Sequence, residues 1–170
     1  SHAAHDSRNH AWFLADEAAT LAFGAALAPV LQAGSVVWRS GDLGAGKTTL
    51  VRGLLRACGY GGRVKSPTFT LVEHYPFSSF NLYHFDLYRF VDPEEWEYAG
   101  FREYFNDQSI CLVEWPEKAE SMLPVPDLLI RLEWSGEGRL AKLQGVTEVG
   151  KTADASLTDT NHTATRRGGR

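Results

Sequence analysis

A run of glycines followed by lysine and threonine is the part of this sequence best suited to chemistry. It reads Gly41-Asp42-Leu43-Gly44-Ala45-Gly46-Lys47-Thr48 and continues into Thr49. Glycines let the backbone curl so that successive N–H groups point inward, and a helix starting near Lys47 would present the positive end of its dipole to the same place. We expect Lys47 to reach the β- and γ-phosphates of a nucleotide and the Thr48 hydroxyl to bind Mg²⁺. The pattern therefore predicts a triphosphate site.

The residues on both sides of this loop support the same interpretation. The apolar run Ser35 to Trp38 predicts a buried strand before it. Apolar residues recur at helical spacing after it, at Leu50, Val51, Leu54 and Leu55. Gly59 lies where such a helix would end. A strand, a loop and a helix in this order favour a nucleotide site over an ordinary tight turn that places its lysine in water.

Two acidic residues follow predicted strands and are candidates for a metal site. Glu114 comes after Ile110–Val113, and Asp86 comes after Leu82–Phe85. A Mg²⁺ ion needs hard oxygen ligands beyond Thr48 and the phosphates, usually a carboxylate at the end of a strand beside the loop. We interpret Glu114 as a metal ligand rather than a surface acid. Spacing alone does not choose between a metal role and a structural role for Asp86.

Other polar residues are weaker candidates for the nucleotide site. Thr68, which follows Ser66-Pro67, could sense the γ-phosphate, although spacing alone favours a turn hydroxyl. His84 lies between aromatic residues on a predicted strand, where a packed core histidine is favoured over a catalytic one. Three arginines could stabilise charge in a transition state or form surface ion pairs, and the sequence does not choose between these roles: Arg52, Arg89 and Arg102.

Composition limits the class of protein. The chain has 170 residues, of which 44% are hydrophobic and 22% charged, which is enough for one domain with a core. A net charge of −4 argues against a protein that binds nucleic acid mainly through its overall electrostatic field. Cys58 and Cys111 have no metal-type neighbours and indicate a reducing compartment without a disulfide-linked partner. No signal peptide or membrane span is recognisable, so we predict a cytoplasmic location without a membrane partner.

The chain divides into a body and two ends. We predict disorder for residues 1–10 and 146–170, because the last segment has almost no large apolar residues. Besides the loop strand and its helix, the predicted elements of the body, residues 11–145, are an edge strand Ala11–Ala15, a helix capped by Asp16 that runs toward Gln32, a hairpin of Phe69–Tyr75 and Leu82–Leu87, a helix starting at Asp92-Pro93-Glu94-Glu95, a strand Ile110–Val113, and a second hairpin of Leu128–Trp134 and Arg139–Leu143.

These elements predict an α/β sandwich with a central mixed parallel and antiparallel sheet flanked by helices. The loop strand calls for parallel neighbours, whereas short connections require antiparallel ones.

Five segments together resemble the TsaE (YjeE) family of bacterial P-loop ATPases. They are Gly41 to Thr49, Lys65-Ser66-Pro67-Thr68-Phe69-Thr70-Leu71-Val72-Glu73, His84-Phe85-Asp86-Leu87-Tyr88-Arg89, Asp92-Pro93-Glu94-Glu95 and Leu112-Val113-Glu114-Trp115-Pro116. The resemblance covers roughly residues 11 to 143, and the combination is far more specific than the loop alone. Proteins of this family support formation of threonylcarbamoyladenosine (t6A) on the adenosine next to the tRNA anticodon.

The resemblance implies a P-loop NTPase fold with ATP and Mg²⁺ as cofactors. Lys47 and Thr48 would bind phosphate and Mg²⁺, Glu114 would complete the metal shell directly or through water, and Asp86 would support hydrolysis near the γ-phosphate, as a base or as an outer-shell metal ligand. Thr68 would belong to a switch-like segment. The resemblance places further residues beside the nucleotide or its base: Asp16, Trp115, Gly138 and Arg139.

The same resemblance implies that the chain binds the TsaD–TsaB pair and resets it through ATP turnover. The threonylcarbamoyl transfer would then be carried out by TsaD, and tRNA would be reached only through that complex. Nothing in the chain supplies an obvious arginine finger, so we expect slow hydrolysis in isolation and completion by a partner.

Two alternatives remain open at this stage. A small-molecule or nucleotide kinase also uses such a loop, but no clustered arginines lie between the two acidic strands to form a lid. A non-catalytic, ATP-gated interaction module is the other. The Asn/Thr-Lys-x-Asp motif that reads guanine is missing, which predicts adenine as the base.

Overall fold

A seven-stranded mixed sheet forms the centre of the protein, whose computed structural model describes residues 10–42, 46–67 and 70–168. The strands are β1 (His10–Leu14), β2 (Val36–Gly41), β3 (Val72–Pro76), β4 (Asn81–Asp86), β5 (Ser109–Glu114), β6 (Leu128–Ser135) and β7 (Gly138–Gly145). The α-helices are α1 (Glu17–Leu27), α2 (Lys47–Ala57), α3 (Pro93–Tyr98) and α4 (Glu148–Gly168). Short 3₁₀ helices lie at Ala28–Val30, Phe101–Tyr104, Pro116–Lys118 and Glu120–Met122.

The strand order places β2 in the middle of the sheet. The order is β1-β7-β6-β2-β5-β4-β3, and β2 pairs in parallel with both β6 and β5. β4 also runs parallel to β5, whereas β3 and β7 join antiparallel to β4 and β6. The predicted mixed sheet is therefore confirmed, with parallel strands at its centre and hairpins toward its edges.

Each face of the sheet has its own hydrophobic core. The face covered by α1 and α2 buries mostly aliphatic residues, among them Leu27, Leu54 and Leu132. The other face buries an aromatic cluster around Trp96 of α3, whose side chain is fully buried against rings such as Phe85 and Phe101. Large rings and branched side chains of this kind provide most of the free energy of burial.

Helices α1 and α2 approach each other at two glycines. A Cβ atom at Gly24 would lie 2.1 Å from the carbonyl oxygen of Leu50, and one at Gly53 would lie 2.2 Å from that of Leu21. Real Cβ atoms do not come so close, so both positions require glycine for this packing. The helix that follows the phosphate loop is thus held tightly against α1.

The ends of the helices follow the predicted signals. Asp16 accepts a hydrogen bond from the Ala19 N–H at 2.9 Å, and Asp92 accepts one from the Glu94 N–H at 3.0 Å. Gly59 ends α2 with a φ of +99°, and the Tyr60 N–H donates to the Leu55 carbonyl at 2.9 Å, which is a Schellman end.

Two predicted boundaries were wrong. α1 ends at Leu27 and passes into the 3₁₀ turn Ala28–Val30, which contains Pro29, instead of continuing toward Gln32. The first strand of the hairpin begins at Val72 rather than Phe69, because Leu71 takes a left-handed φ of +68° that no strand continues through.

The disorder predicted for residues 146–170 is wrong for residues 148–168, which form α4. Thr147 accepts a hydrogen bond from the Gly150 N–H at 3.1 Å, and Ala153 and Leu157 are buried against the sheet. Asp154 is also buried and lies 2.9 Å from Nδ1 of His10 in β1. A few well-placed contacts order a segment whose composition alone indicates disorder. Of the predicted N-terminal segment, His10 is described and begins β1.

None of the helices in the described ranges is long and apolar enough to span a membrane.

Candidate nucleotide site

The predicted phosphate loop leaves β2 through a backbone conformation that requires glycine. Gly41 has a φ of +130°, and a Cβ atom there would lie 1.8 Å from the Leu132 carbonyl oxygen of the adjacent strand. Asp42 then donates its N–H to Leu132 at 3.0 Å and accepts from the Trp134 N–H at 2.8 Å. The first half of the loop is therefore fixed to β6. Three further predicted loop residues, Leu43, Gly44 and Ala45, lie outside the described residues.

The loop enters α2 through a second glycine. Gly46 is left-handed, with a φ of +88°, and its carbonyl accepts the first helical hydrogen bond, from the Leu50 N–H at 2.9 Å. Lys47 is the first residue of α2, and no side chain of the described residues caps this end of the helix. Thr48 and Thr49 follow in the first turn and are half-buried. An uncapped helix start of this kind leaves its amides available to an anion.

Four polar side chains lie at the carboxyl ends of the central strands, on the face that α2 covers. Side chains two residues apart in a strand share a face, and the buried residues Val37, Leu112 and Leu82 all belong to the cluster on the α2 side. The residues that follow on that face are Arg39 in β2, Glu114 in β5, and His84 and Asp86 in β4. The strand register pairs Arg39 with Glu114 and Asp86 with Glu114.

Glu114 is fully buried and both of its oxygens accept hydrogen bonds. Oε1 accepts from Nε of Arg39, and Oε2 contacts Nε2 of His84 at 3.2 Å. Arg39 and His84 are 3% and 2% exposed. The buried position predicted for His84 is confirmed, but this histidine also contacts a predicted metal ligand.

Arg39 is a residue of the site that sequence reasoning missed. The available signal was a single arginine inside an apolar strand, two residues before the first glycine of the loop. Nη1 of Arg39 and Nδ1 of His84 are buried and have no hydrogen-bond partner among the described residues. A buried guanidinium is expensive unless it is paired, and Glu114 provides that pairing.

Asp86 lies at the adjacent strand end and is 3% exposed. Its Oδ1 accepts from the Tyr88 N–H at 3.1 Å, and its own N–H donates to the Leu71 carbonyl at 2.9 Å. Leu71 in turn donates its N–H to the Pro67 carbonyl at 3.0 Å. Thr68 lies outside the described residues, but Pro67 and Leu71 on either side of it are tied to the end of β4.

The donor chemistry at this edge fits Mg²⁺. Thr48 offers a hydroxyl, and Asp86 and Glu114 offer carboxylates, all hard oxygen donors. A carboxylate has about four lone-pair positions, so the two hydrogen bonds to Glu114 leave it further acceptor capacity. Within residues 10–42, 46–67 and 70–168, no cluster of three or more His, Cys, Asp or Glu residues could hold a metal ion by itself.

Arg139, at the start of β7, lies beside the entry to α2. Its guanidinium stacks over the Trp134 ring at 4.5 Å, and its Nε is buried without a hydrogen-bond partner in the described ranges. A Cβ atom on Gly46 would lie 3.2 Å from that Nε and 3.2 Å from Cγ2 of Thr20. Gly138 precedes it, where a Cβ atom would lie 2.7 Å from the Leu14 carbonyl oxygen.

The other predicted residues have structural contacts of their own. Asp16 caps α1, and its carbonyl oxygen accepts from Thr20 Oγ1 at 3.3 Å, which connects it to the residue beside Gly46. Trp115 follows Glu114 with a left-handed φ of +58°, and its ring packs 5.0 Å from that of Tyr88. Arg52 lies 3.8 Å from Glu17, and Arg102 lies 2.9 Å from Glu97, both at the surface.

Comparisons with known proteins identify the family that this chain matches. A family model described as "Threonylcarbamoyl adenosine biosynthesis protein TsaE" matches residues 14–153. A Haemophilus influenzae protein named tRNA threonylcarbamoyladenosine biosynthesis protein TsaE is 46% identical over 144 residues, 82% of this chain and 91% of that protein. A Bacillus subtilis protein of the same name is 39% identical over 126 residues, 74% of this chain and 78% of that protein.

A solved structure also matches. The crystal structure of Bacillus subtilis YdiB is similar with a TM-score of 0.78 and 30% sequence identity, and the match covers 91% of this chain and 97% of that one. The predicted P-loop α/β fold is thereby confirmed.

Proposed function

The chain belongs to the TsaE family of tRNA threonylcarbamoyladenosine biosynthesis, and from this we propose that it is an ATPase that binds and hydrolyses Mg-ATP to support t6A formation by acting on the TsaD–TsaB complex. The observation that supports the ATPase proposal most directly is the placement of two buried carboxylates, Asp86 and Glu114, at neighbouring strand ends on the face where α2 begins. In this proposal the glycine-rich loop and the start of α2 bind the phosphates, and the two carboxylates bind the metal ion in the same pocket.

The nucleotide is held mainly by main chain and by the first turn of α2. In this proposal the N–H groups of Gly41 to Thr49 face the phosphates, and Lys47 pairs with the β- and γ-phosphate oxygens. The adenine lies toward Asp16, Gly138 and Arg139, and Trp115 lies beside the nucleotide pocket. Arg139 is suited to this role because its guanidinium lies over the Trp134 ring and its side chain lies beside Gly46.

Thr48, Glu114 and Asp86 are the residues that would hold Mg²⁺. When bound, the ion neutralises the charge that develops on the transferred phosphoryl group. Thr48 contributes its hydroxyl from the first turn of α2, and Glu114 is oriented by Arg39 and His84. Asp86 is oriented by the Tyr88 N–H and would orient the attacking water as a base or serve as an outer-shell ligand of the metal. Thr68 belongs to a segment that orders around the γ-phosphate.

Catalysis is completed by the partner. A role in t6A biosynthesis implies association with the other proteins of that modification. We assign TsaD and TsaB as the direct partners, in the cytoplasm, with tRNA bound through that complex. Arg39 is engaged with Glu114, and two of the three arginines considered from the sequence, Arg52 and Arg102, lie at surface ion pairs. Charge stabilisation supplied in trans would raise turnover by orders of magnitude.

The test is hydrolysis of γ-labelled ATP by the protein, with and without the TsaD–TsaB pair. We expect phosphate release to water that rises with the partners. Labelled phosphate on an acceptor molecule would instead indicate a kinase, and tight binding without turnover would indicate an interaction module. Either result would contradict the proposal.

A substitution of the loop lysine tests the site itself. Lys47→Ala should lower turnover at least 100-fold, because it removes the cation on the β- and γ-phosphates. The chain offers a matched control in Lys151, which also stands between a glycine and a threonine but is exposed on α4 and lies 3.7 Å from Glu148. Lys151→Ala should leave turnover unchanged. Equal turnover in both variants would remove the loop from the mechanism.

A further inference from the structure

Arg39 is a buried cation two residues before the phosphate loop. Its side chain is 4% exposed, and its Nε donates to Oε1 of Glu114. Burying a guanidinium is unfavourable unless a partner compensates for it, so the contact with Glu114 is a requirement of this position. An apolar residue at this strand position would avoid the burial penalty altogether, which suggests a function for the charge beyond packing.

The charge of Arg39 lies where carboxylates are concentrated. Asp86 and Glu114 are register partners at the ends of β4 and β5, and both are nearly fully buried. Two carboxylates in such positions repel each other, and a cation in direct contact with one of them reduces that repulsion. Arg39 therefore supplies, from the protein itself, positive charge in the region where the proposed Mg²⁺ would lie.

The contacts of Glu114 also restrict its orientation. Oε1 is held by Arg39 and Oε2 by His84, so the carboxylate is anchored through both oxygens before any nucleotide arrives. The Nη1 atom of Arg39 is buried and has no hydrogen-bond partner within the described residues. The guanidinium thus keeps donor capacity and charge that Glu114 alone does not use.

We infer that Arg39 is a positioning residue that substitutes for the metal: it holds and neutralises Glu114 in the empty pocket, and its charge makes the pocket accept Mg²⁺ only together with the negative charge of the nucleotide. This inference rests on the proposed ATPase function. Like charges a few ångströms apart repel even at the effective dielectric of a protein interior, so free Mg²⁺ is disfavoured until phosphates are present.

The measurement is the effect of Mg²⁺ on nucleotide affinity. Arg39→Gln keeps a side-chain donor near Glu114 but removes the charge. Binding of the slowly hydrolysed analogue AMP-PNP is measured by calorimetry in excess Mg²⁺ and again in EDTA. The dissociation constant in EDTA divided by that in Mg²⁺ is compared with the same ratio for the unmodified protein. We expect the ratio to rise on the order of tenfold, because metal-free nucleotide loses an attraction and Mg²⁺ loses a repulsion.

Two control variants separate charge from packing. Arg39→Lys retains the charge and should keep the ratio within twofold of the unmodified value. Arg131→Gln removes a charge from the neighbouring strand, but Arg131 is 55% exposed and lies on the opposite face from the buried Ile130 and Leu132. It should leave the ratio unchanged. A packing defect would weaken binding under both conditions by the same factor and would not change the ratio.

Each outcome either supports or contradicts the inference. An unchanged ratio in Arg39→Gln, with nucleotide still bound, overturns the role of Arg39 and leaves the proposed function intact. Failure of the unmodified protein to bind AMP-PNP overturns both. Should Arg39→Gln be unstable, Mg²⁺ alone is added and the thermal midpoint is recorded. We expect a larger rise than in the unmodified protein, because the metal replaces the missing cation, and equal shifts contradict the inference.

Discussion

Single residues fix the path of the phosphate loop through steric exclusion. At Gly41 the backbone passes so close to β6 that a methyl group would overlap the Leu132 carbonyl oxygen, at 1.8 Å. Gly136, in the turn between β6 and β7, also has a positive φ, of +61°, but a Cβ atom there would meet nothing within 4 Å. These two glycines therefore separate steric overlap from backbone strain.

Gly41→Ala should destabilise the protein by more than about 3 kcal/mol, because the strain of a positive φ is added to a severe overlap in a packed sheet. Gly136→Ala should cost only about 1 to 2 kcal/mol, from strain alone. Urea denaturation of both variants measures the difference. Similar losses in the two variants would mean that the strand around Gly41 shifts easily, and the geometry of the loop entrance would then have to be reconsidered.

The residues of the site differ in how far the sequence reveals them. The loop glycines follow from their spacing to Lys47 and Thr48, and Asp86 and Glu114 follow because each comes directly after an apolar run. Arg39 does not, since its partner Glu114 is 75 positions away and their contact depends on the pairing of β2 with β5. The register between distant strands cannot be read from a single sequence, so contacts between buried side chains of different strands become visible only in the folded structure.

Among the α-helices of the described residues, α4 is the one whose existence the sequence analysis missed. It packs one side against the sheet through Ala153 and Leu157, the latter fully buried in the aliphatic core. Its Asp154 accepts from the Gly145 N–H at 3.3 Å and contacts His10 of β1. Tertiary contacts of this kind override a composition that is typical of disorder. The strands and the cap signals, by contrast, were predictable because they depend on neighbouring residues.

Leu157→Ala tests whether α4 belongs to the folded core. We expect the free energy of unfolding to fall by about 2 to 5 kcal/mol, since the substitution leaves a cavity in the aliphatic cluster. Thr152→Ala, at an exposed position of the same helix, serves as the control and should change stability by less than about 0.5 kcal/mol. Chemical denaturation gives both values. A disordered segment would show no loss in either variant.

For the molecule as a whole, burial raises the pKa values of several thiol and phenol groups. It raises the pKa of the Cys111 thiol from 9.0 to about 12, and burial also raises the pKa values of Cys58 and Tyr75. The native state therefore keeps protons that the unfolded chain releases. Stability from Cys111 is fully present below pH 9 and is lost as the pH rises toward 12.

The free energy of unfolding should therefore fall on the alkaline side, by about 1.4 kcal/mol per pH unit from Cys111 alone. Urea unfolding at pH 8, 9, 10 and 10.5 measures the slope. Cys111→Ala should flatten this slope, whatever its effect on absolute stability, and Cys58→Ala should change it less because Cys58 is only half-buried. A slope that is the same in all three proteins would show that the Cys111 thiol ionises freely in the native state.

The central place of β2 determines when the site can form during synthesis. Its two lateral neighbours, β5 and β6, begin at Ser109 and Leu128, and the Val36 N–H donates to the Asp127 carboxylate at 2.8 Å. A nascent chain that has just emerged from the ribosome with the phosphate loop has neither neighbour to pair with. Such distant pairings are slow to close. If the proposed function holds, the polypeptide must therefore leave the exit tunnel almost in full before its nucleotide site is complete, and translation products cut short before residue 128 would lack that site.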